Sequence, residues 1–281
     1  MYQAHFGFEQ SPFSLTPNTD LFYGLAPHFE AIQTVLSALD MGEGVIKITG
    51  EVGTGKTMVC RMLINHLGNN TALIYLPNPV LSGDDLRYAV AKELGLNIPN
   101  KAMLVDEIQH RLIELNRSGK RVVAILDEAQ ALSDEALETL RLFGNLETES
   151  TKLLQIVLLG QPELETRLNA HHLRQFRQRI SFSSCLRTLN LDETVAYIDN
   201  RISKSGGSST LFSLNHKKAI WRSSRGVPRL INQLCHKALL MAFSEHKQVV
   251  ENQHLFSAMH ETYDVSKPKF KKPILWGWSE S

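Results

Sequence analysis

Short apolar runs of strand length recur along the first two thirds of the chain. Each is followed by a longer stretch in which apolar residues return every three or four positions. Runs at 45–49, 71–76, 121–126, 153–159 and 180–186 predict five strands. Helical spacing predicts helices at 27–40, 56–67, 82–94, 105–117 and 133–146. Ile32, Val35, Leu36 and Leu39 share one face of the first helix, and Ser82 and Asp85 stand at capping-box spacing where the third begins. The run at 121–126 is apolar almost without a break, as a strand covered on both sides requires. Strands alternating with helices imply an α/β fold with a parallel sheet and helices on both faces.

Past residue 187 the alternation stops, and 192–204, 213–222, 228–245 and 252–263 all carry helical patterns. The expected organisation is therefore an α/β domain over 1–187, a small all-helical domain over 188–265, and a basic and aromatic tail over 266–281. Residues 205–210 (SGGSST) read as a flexible link. Residues 6–23, rich in aromatics and prolines, read as an ordered but irregular lead-in.

The 30 basic and 29 acidic residues nearly cancel, so no global field favours nucleic acid, and a nucleic-acid partner is not expected. Cys60, Cys185 and Cys235 are odd in number and widely spaced, which points to reduced, buried thiols in a cytoplasmic protein. No signal-peptide pattern opens the chain, and no apolar run is long enough for a bilayer.

The candidate chemistry lies at two strand ends. Gly50-Glu51-Val52-Gly53-Thr54-Gly55-Lys56-Thr57 matches GxxxxGK[ST] between a predicted strand and a predicted helix. Glycines let the backbone wrap around phosphates, so that successive N–H groups and the positive helix end face the anion. Lys56 neutralises the β- and γ-phosphates of ATP, and the Thr57 hydroxyl takes a Mg2+ position. The second strand end is Asp127-Glu128, closing the run at 121–126. Sheets of this kind bind ligands at the carboxyl ends of their strands. Asp127 is therefore expected on the magnesium and Glu128 on the attacking water. The competing reading is an acidic pair that merely starts a turn.

With both motifs in place the chain resembles AAA+ ATPases, and more narrowly the ExeA/GspA group associated with type II secretion and type IV pili. The resemblance spans residues 6–263. It is carried by Phe6-Gly7-Phe8 with Pro12-Phe13, the loop at 49–57, Asp127-Glu128-Ala129-Gln130, Leu159-Gly160-Gln161-Pro162-Glu163-Leu164, Gln178-Arg179-Ile180, and Gly226-Val227-Pro228-Arg229-Leu230-Ile231-Asn232. It implies that the helical domain is a lid. It implies that Gln161 is the sensor-1 residue on the γ-phosphate or the lytic water, where many AAA+ proteins carry Asn or Thr; a Gln-Pro turn is the alternative. It implies that Arg179 is the arginine finger, with Arg174 and Arg177 as rivals, and a plain basic helical face as the alternative. Arg229 matches sensor 2. Pro228 suits a first helical position, so Arg229 falls in the first turn, where a cation opposes the helix dipole unless an anion compensates it. Phe22, Tyr23 and Gly24 occupy the place that lines the adenine pocket in this group, with aromatic core packing as the alternative.

The partners implied are further copies of the chain in a homo-oligomer and proteins of pilus or secretion assembly. Lys267, Lys269, Lys271 and Lys272 beside Trp276 and Trp278 suit an inner-membrane surface or a partner groove; a solvated tail is the alternative. Longer members of the group continue here into a membrane-spanning helix and a peptidoglycan-binding domain, so cell-wall binding is not expected of these 281 residues. Two other functional classes share these motifs: a nucleotide-dependent DNA-binding regulator like the AAA+ partners of transposases, and a scaffold that senses ATP without hydrolysing it. The first lacks a basic stripe, and the second has no use for Glu128.

Overall fold

A computed structural model describes residues 2–16, 18–79, 82–96, 103–149 and 151–270. In chain order the elements are α1 (Gln3–Phe6), α2 (Ala26–Asp40), β1 (Val45–Gly50), α3 (Lys56–His66), β2 (Thr71–Leu76), α4 (Gly83–Glu93), α5 (Leu104–Arg117), β3 (Arg121–Leu126), α6 (Asp134–Phe143), β4 (Gln155–Gly160), α7 (Pro162–Leu168), α8 (Arg174–Arg177) and β5 (Ile180–Leu186). Four helices follow: α9 (Leu191–Lys204), α10 (Leu214–Ser224), α11 (Pro228–Ser244) and α12 (Asn252–His260).

Local chemistry sets the ends. Ser82 and Asp85 form the expected capping box of α4, and the Ser133 hydroxyl caps α6 at the Ala136 N–H. α6 stops at Phe143, short of the expected 146, because Gly144 closes it with its N–H on the Leu140 carbonyl. β4 begins at Gln155 and not at 153, since its ladder to β3 starts where Gln155 faces Val123.

The five strands lie in the order β2-β3-β4-β1-β5, and every pairing is parallel. Val122, Ala124, Leu126, Ile156 and Leu158 point into a core shared with Leu86 and Val90 of α4, Ile108 and Leu112 of α5, and Leu137 and Leu140 of α6. The alternate residues Ile46, Ile48, Val123, Ile125, Val157 and Leu159 are buried too, so both faces are covered. At the edge, β5 alternates exposed and half-buried residues. Cys185 therefore lies exposed, contrary to the buried thiol expected from its sequence; Cys60 and Cys235 are buried, and all three are free.

The chain groups into two compact units. One is the sheet with its helices, His28–Val52 and Val59–Leu186; the other joins Met1–Pro27, Gly53–Met58 and Arg187–Ser281. This grouping is not contiguous in sequence, unlike the division at 187 that the change of pattern suggested. The lead-in explains why. Tyr2, Phe6, Phe8, Phe13 and Leu25 are buried in one core with Tyr197, Ile198, Phe212, Ile220, Ile231 and Leu234. Arg201 of α9, 4% exposed, donates to the Pro12 carbonyl and lies 5.7 Å over the Tyr197 ring. Lys204 donates to the carbonyls of Asp20 (3.1 Å) and Phe22 (3.0 Å).

Residues 205–210 are not the flexible link expected from their composition. Ser205 is buried, its carbonyl accepts the Glu9 N–H at 2.9 Å, and a side chain at Gly207 would strike the Phe8 ring at 2.2 Å. Glycine is there to let an aromatic ring approach the backbone. The tail starts pinned as well: Ser266 exchanges hydrogen bonds with Ser223, and the Pro268 carbonyl bonds His260 Nε2 at 3.0 Å. Lys271, Lys272, Trp276 and Trp278 lie outside the described residues. Among the described residues no helix is long and apolar enough to cross a membrane.

Gly226 joins α10 to α11 with φ +74°, and a Cβ there would sit 1.9 Å from the Leu189 carbonyl oxygen. Its own carbonyl accepts the Leu189 N–H at 2.9 Å, so the two backbones cannot separate without loss of that bond. Gly42 has φ +81° but open space around it. Gly42→Ala is expected to cost roughly 1 kcal/mol, read as the shift in chemical unfolding of the sheet unit, and Gly226→Ala about 3 kcal/mol or more, read in the same way for the helical unit. Equal shifts for the two would refute the close approach.

Candidate active site

β1 delivers the chain at Gly50, and Gly53 and Gly55 then take φ of +82° and +104°, backbone that side-chain-bearing residues rarely adopt. Thr54 and Lys56 are buried. Lys56 opens α3, so Lys56 and Thr57 lie in its first turn, where backbone N–H groups have no partner within the helix. A Cβ at Gly53 would be 2.8 Å from the Arg229 Cβ and 3.1 Å from Val227 Cγ1. The Gly53 carbonyl also accepts the Arg229 N–H at 3.2 Å. Pro228 stands at the start of α11 as expected, which sets Arg229, itself exposed, in the first turn beside the loop.

The second half of the site is built at the carboxyl edge of the sheet. β4 runs between β1 and β3, with Thr49 beside Gly160 and Leu158 beside Leu126. Gly50, Gln161 and Asp127 therefore leave the sheet at one edge. Asp127, 3% exposed, extends the ladder by one bond, its N–H on the Leu76 carbonyl at 3.0 Å. Its carboxylate accepts the Glu128 N–H at 3.0 Å. Glu128 takes a left-handed conformation, φ 55° and ψ 40°, uncommon for a residue with a side chain.

The Glu128 carboxylate is held by two amides. Gln161 Nε2 donates to its Oε2 at 3.0 Å, and Gln130 Nε2 donates to the same oxygen. Gln130 Oε1 accepts the Gln161 N–H at 3.0 Å. Arg167 of α7 donates to the carbonyls of Gln130 and Leu132 and to the Asp134 carboxylate. Arg167 and then His172 hold the Asp134 carboxyl below its ordinary range. Lys47, buried in β1, pairs with Glu165 of α7. The reading of the sequence gave Gln130 and Arg167 no role. Gln130 stood inside the Asp127-Glu128-Ala129-Gln130 segment, so a signal was present for it; nothing local marked Arg167.

Of the finger candidates, Arg174, Arg177 and Arg179 are all exposed. The expected basic helix is only the single turn α8, and Arg179 lies beyond it, just ahead of β5. Arg177 is engaged by Asn169 at 2.9 Å. Arg174 and Arg179 line one concavity of about 650 Å3 with Arg141, His171 and His172. Phe22 and Tyr23 are half-buried, Gly24 is exposed, and Tyr23 packs against the core of the helical unit.

A parallel sheet ending in a P-loop at one strand and an acid pair at another defines a protein of the AAA+ class. A family model described as an AAA domain matches residues 39–168. General secretion pathway protein A of Aeromonas hydrophila is 39% identical over 268 residues, 94% of this chain and 49% of that protein. The chain is similar to that secretion-pathway protein along nearly its whole length and spans about half the length of that curated relative. Among solved structures, the Aeropyrum pernix ORC2 protein in its ADPNP-ADP complexes matches with a TM-score of 0.69 at 17% identity, over 92% of this chain and 72% of that one. Cdc6p from Pyrobaculum aerophilum matches with a TM-score of 0.69 at 16% identity, over 88% and 69% of the two chains. At these identities the likeness is one of fold.

Cys60, one turn along α3 from Lys56, is buried beside Tyr75. Burial first, then the Asp127 charge, push its thiol up to about 12. Near neutral pH the thiol therefore stays protonated and unreactive. Burial also pushes the Cys235 thiol up. One fast-reacting thiol, Cys185, is therefore expected with a disulfide reagent on the native protein, and three after unfolding. Labelling of Cys60 as fast as Cys185 would contradict this environment.

Proposed function

We propose that the protein binds ATP with Mg2+ and hydrolyses it. In this reading Gly50, Glu51, Val52, Gly53, Thr54 and Gly55 present backbone N–H groups to the phosphates, and Lys56 neutralises them. Thr57 and Asp127 hold the metal, which supplies charge neutralisation on the β- and γ-phosphates. Glu128 orients and polarises the attacking water, Gln161 senses the γ-phosphate beside it, and Arg229 answers the anion from the first turn of α11. A second copy supplies the arginine finger, Arg179 first and Arg174 as its rival. The observation that carries the reading is the Glu128 carboxylate, fixed by two amide donors at the strand edge from which the P-loop also departs.

The same proposal extends to the role carried by the relative's name. An oligomeric cytoplasmic ATPase would use hydrolysis to assist assembly of a secretion apparatus; the resemblance drawn from the sequence motifs extends this to a type II secretion apparatus or an MSHA-type, type IV pilus. What supports this is the 39% identity along nearly the whole chain.

Lys56→Ala is expected to abolish Mg-dependent nucleotide affinity. Glu128→Gln should bind ATP normally while phosphate release falls by roughly a hundredfold or more. On the Glu128→Gln form, ATP should raise the particle size in solution. Equal, near-zero phosphate release from wild type and Glu128→Gln would leave only a nucleotide-sensing scaffold, and unchanged affinity in Lys56→Ala would remove the nucleotide site itself.

A further inference from the structure

Gln130 bonds both the water-orienting acid and the backbone of the sensor glutamine. Its amide has two different ends, and each is used. The Nε2 group donates to Glu128 Oε2, and Oε1 accepts the Gln161 N–H at 3.0 Å. Turning the amide over would set an N–H2 group against an N–H and an oxygen against a carboxylate, both repulsive, so the orientation is unique. Gln161 completes a closed ring by donating its own Nε2 to the same Glu128 oxygen at 3.0 Å.

The ring is held from outside. Arg167 fixes the Gln130 carbonyl at 2.8 Å, and with it the Leu132 carbonyl and the Asp134 carboxylate. A Cβ at Gly160 would lie 3.3 Å from Gln130 Oε1, so the glycine before Gln161 leaves room for the amide. Glu128 itself is in a left-handed conformation, which persists only where its surroundings over-determine it.

We propose that Gln130 is a positioning residue for hydrolysis: it sets where the Glu128 carboxylate points and ties that direction to the Gln161 backbone. This rests on the ATPase reading above. A carboxylate with several accessible rotamers orients water poorly, because misplacement of a reacting group by an ångström costs about a hundredfold in rate. Gln130 removes that freedom without touching the nucleotide. Its loss should act on turnover and leave ATP binding alone.

The test compares wild type, Gln130→Met and Gln130→Glu in full-length protein, measuring phosphate release and the dissociation constant of a fluorescent ATP analogue. Gln130→Met keeps the length of the side chain and removes both bonds. Gln130→Glu keeps the acceptor for the Gln161 N–H and turns the donor into a repelling oxygen. Both are expected to lower kcat by roughly tenfold to a hundredfold, with analogue affinity within about twofold of wild type and an unchanged thermal midpoint. In the Glu128→Gln background, Gln130→Met should change the residual rate by less than about twofold, because the group it positions is already gone. Wild-type kcat in Gln130→Met, a parallel loss of affinity and rate, or full additivity in the double variant each overturns the proposal. Absence of turnover in wild type overturns it together with the ATPase reading; turnover at the wild-type rate in Gln130→Met overturns it alone.

Discussion

Parallel strands cannot be joined by tight turns, so each must be carried back to its starting end by a crossover before the next begins. The consequence is that every strand of this sheet finishes at the same edge, and whatever follows a strand finishes there too. The order β2-β3-β4-β1-β5 then decides which loops are neighbours. β4 separates β1 from β3, so the residue after β4 is placed between the loop that leaves β1 and the acids that close β3. That is how Gln161, 33 residues beyond Glu128 in sequence, comes to share a hydrogen bond with it. The chemistry of the edge depends on this register; a slip of one residue would turn Asp127 to the opposite face.

The helical unit solves a different problem. Its helices bury a large apolar surface, but its coherence also depends on backbone groups that no helix can satisfy. Arg201 and Lys204 take up the carbonyls of Pro12, Asp20 and Phe22, which a lead-in without regular structure would otherwise leave unbonded. Gly226 allows α10 to turn into α11 across the backbone at Leu189. The segment Gly226-Val227-Pro228-Arg229 is thus a steric device: a left-handed glycine, a proline pre-set for a first helical position, and an arginine whose backbone rests on the P-loop.

Much of this architecture could be read from periodicity. The strands at 71–76, 121–126 and 180–186 fall where the apolar runs placed them, and the helices depart by a few residues at capped ends. The P-loop and the acid pair were legible because each needs specific residue types in sequence. Three features were not legible, for physical reasons. Composition suggested mobility at 205–210, but Gly207 serves close packing against Phe8. Cys185 was expected to be buried because a local reading cannot tell an edge strand from a central one. The segment that holds Gln130 was marked but its role was not, and Arg167 was not marked at all, because their partners lie 31 and 37 residues away, a distance over which no spacing rule applies.

The bond from the Gly53 carbonyl to the Arg229 N–H gives the loop a mechanical connection. α11 has 17 residues and is therefore about 25 Å long. Its first turn rests on the peptide of Gly53 through a backbone bond. A tilt of about 10° at that end would carry the far end through about 4 Å. The Gly53 peptide and the start of α11 are therefore joined: neither can shift without carrying the other along or breaking that bond.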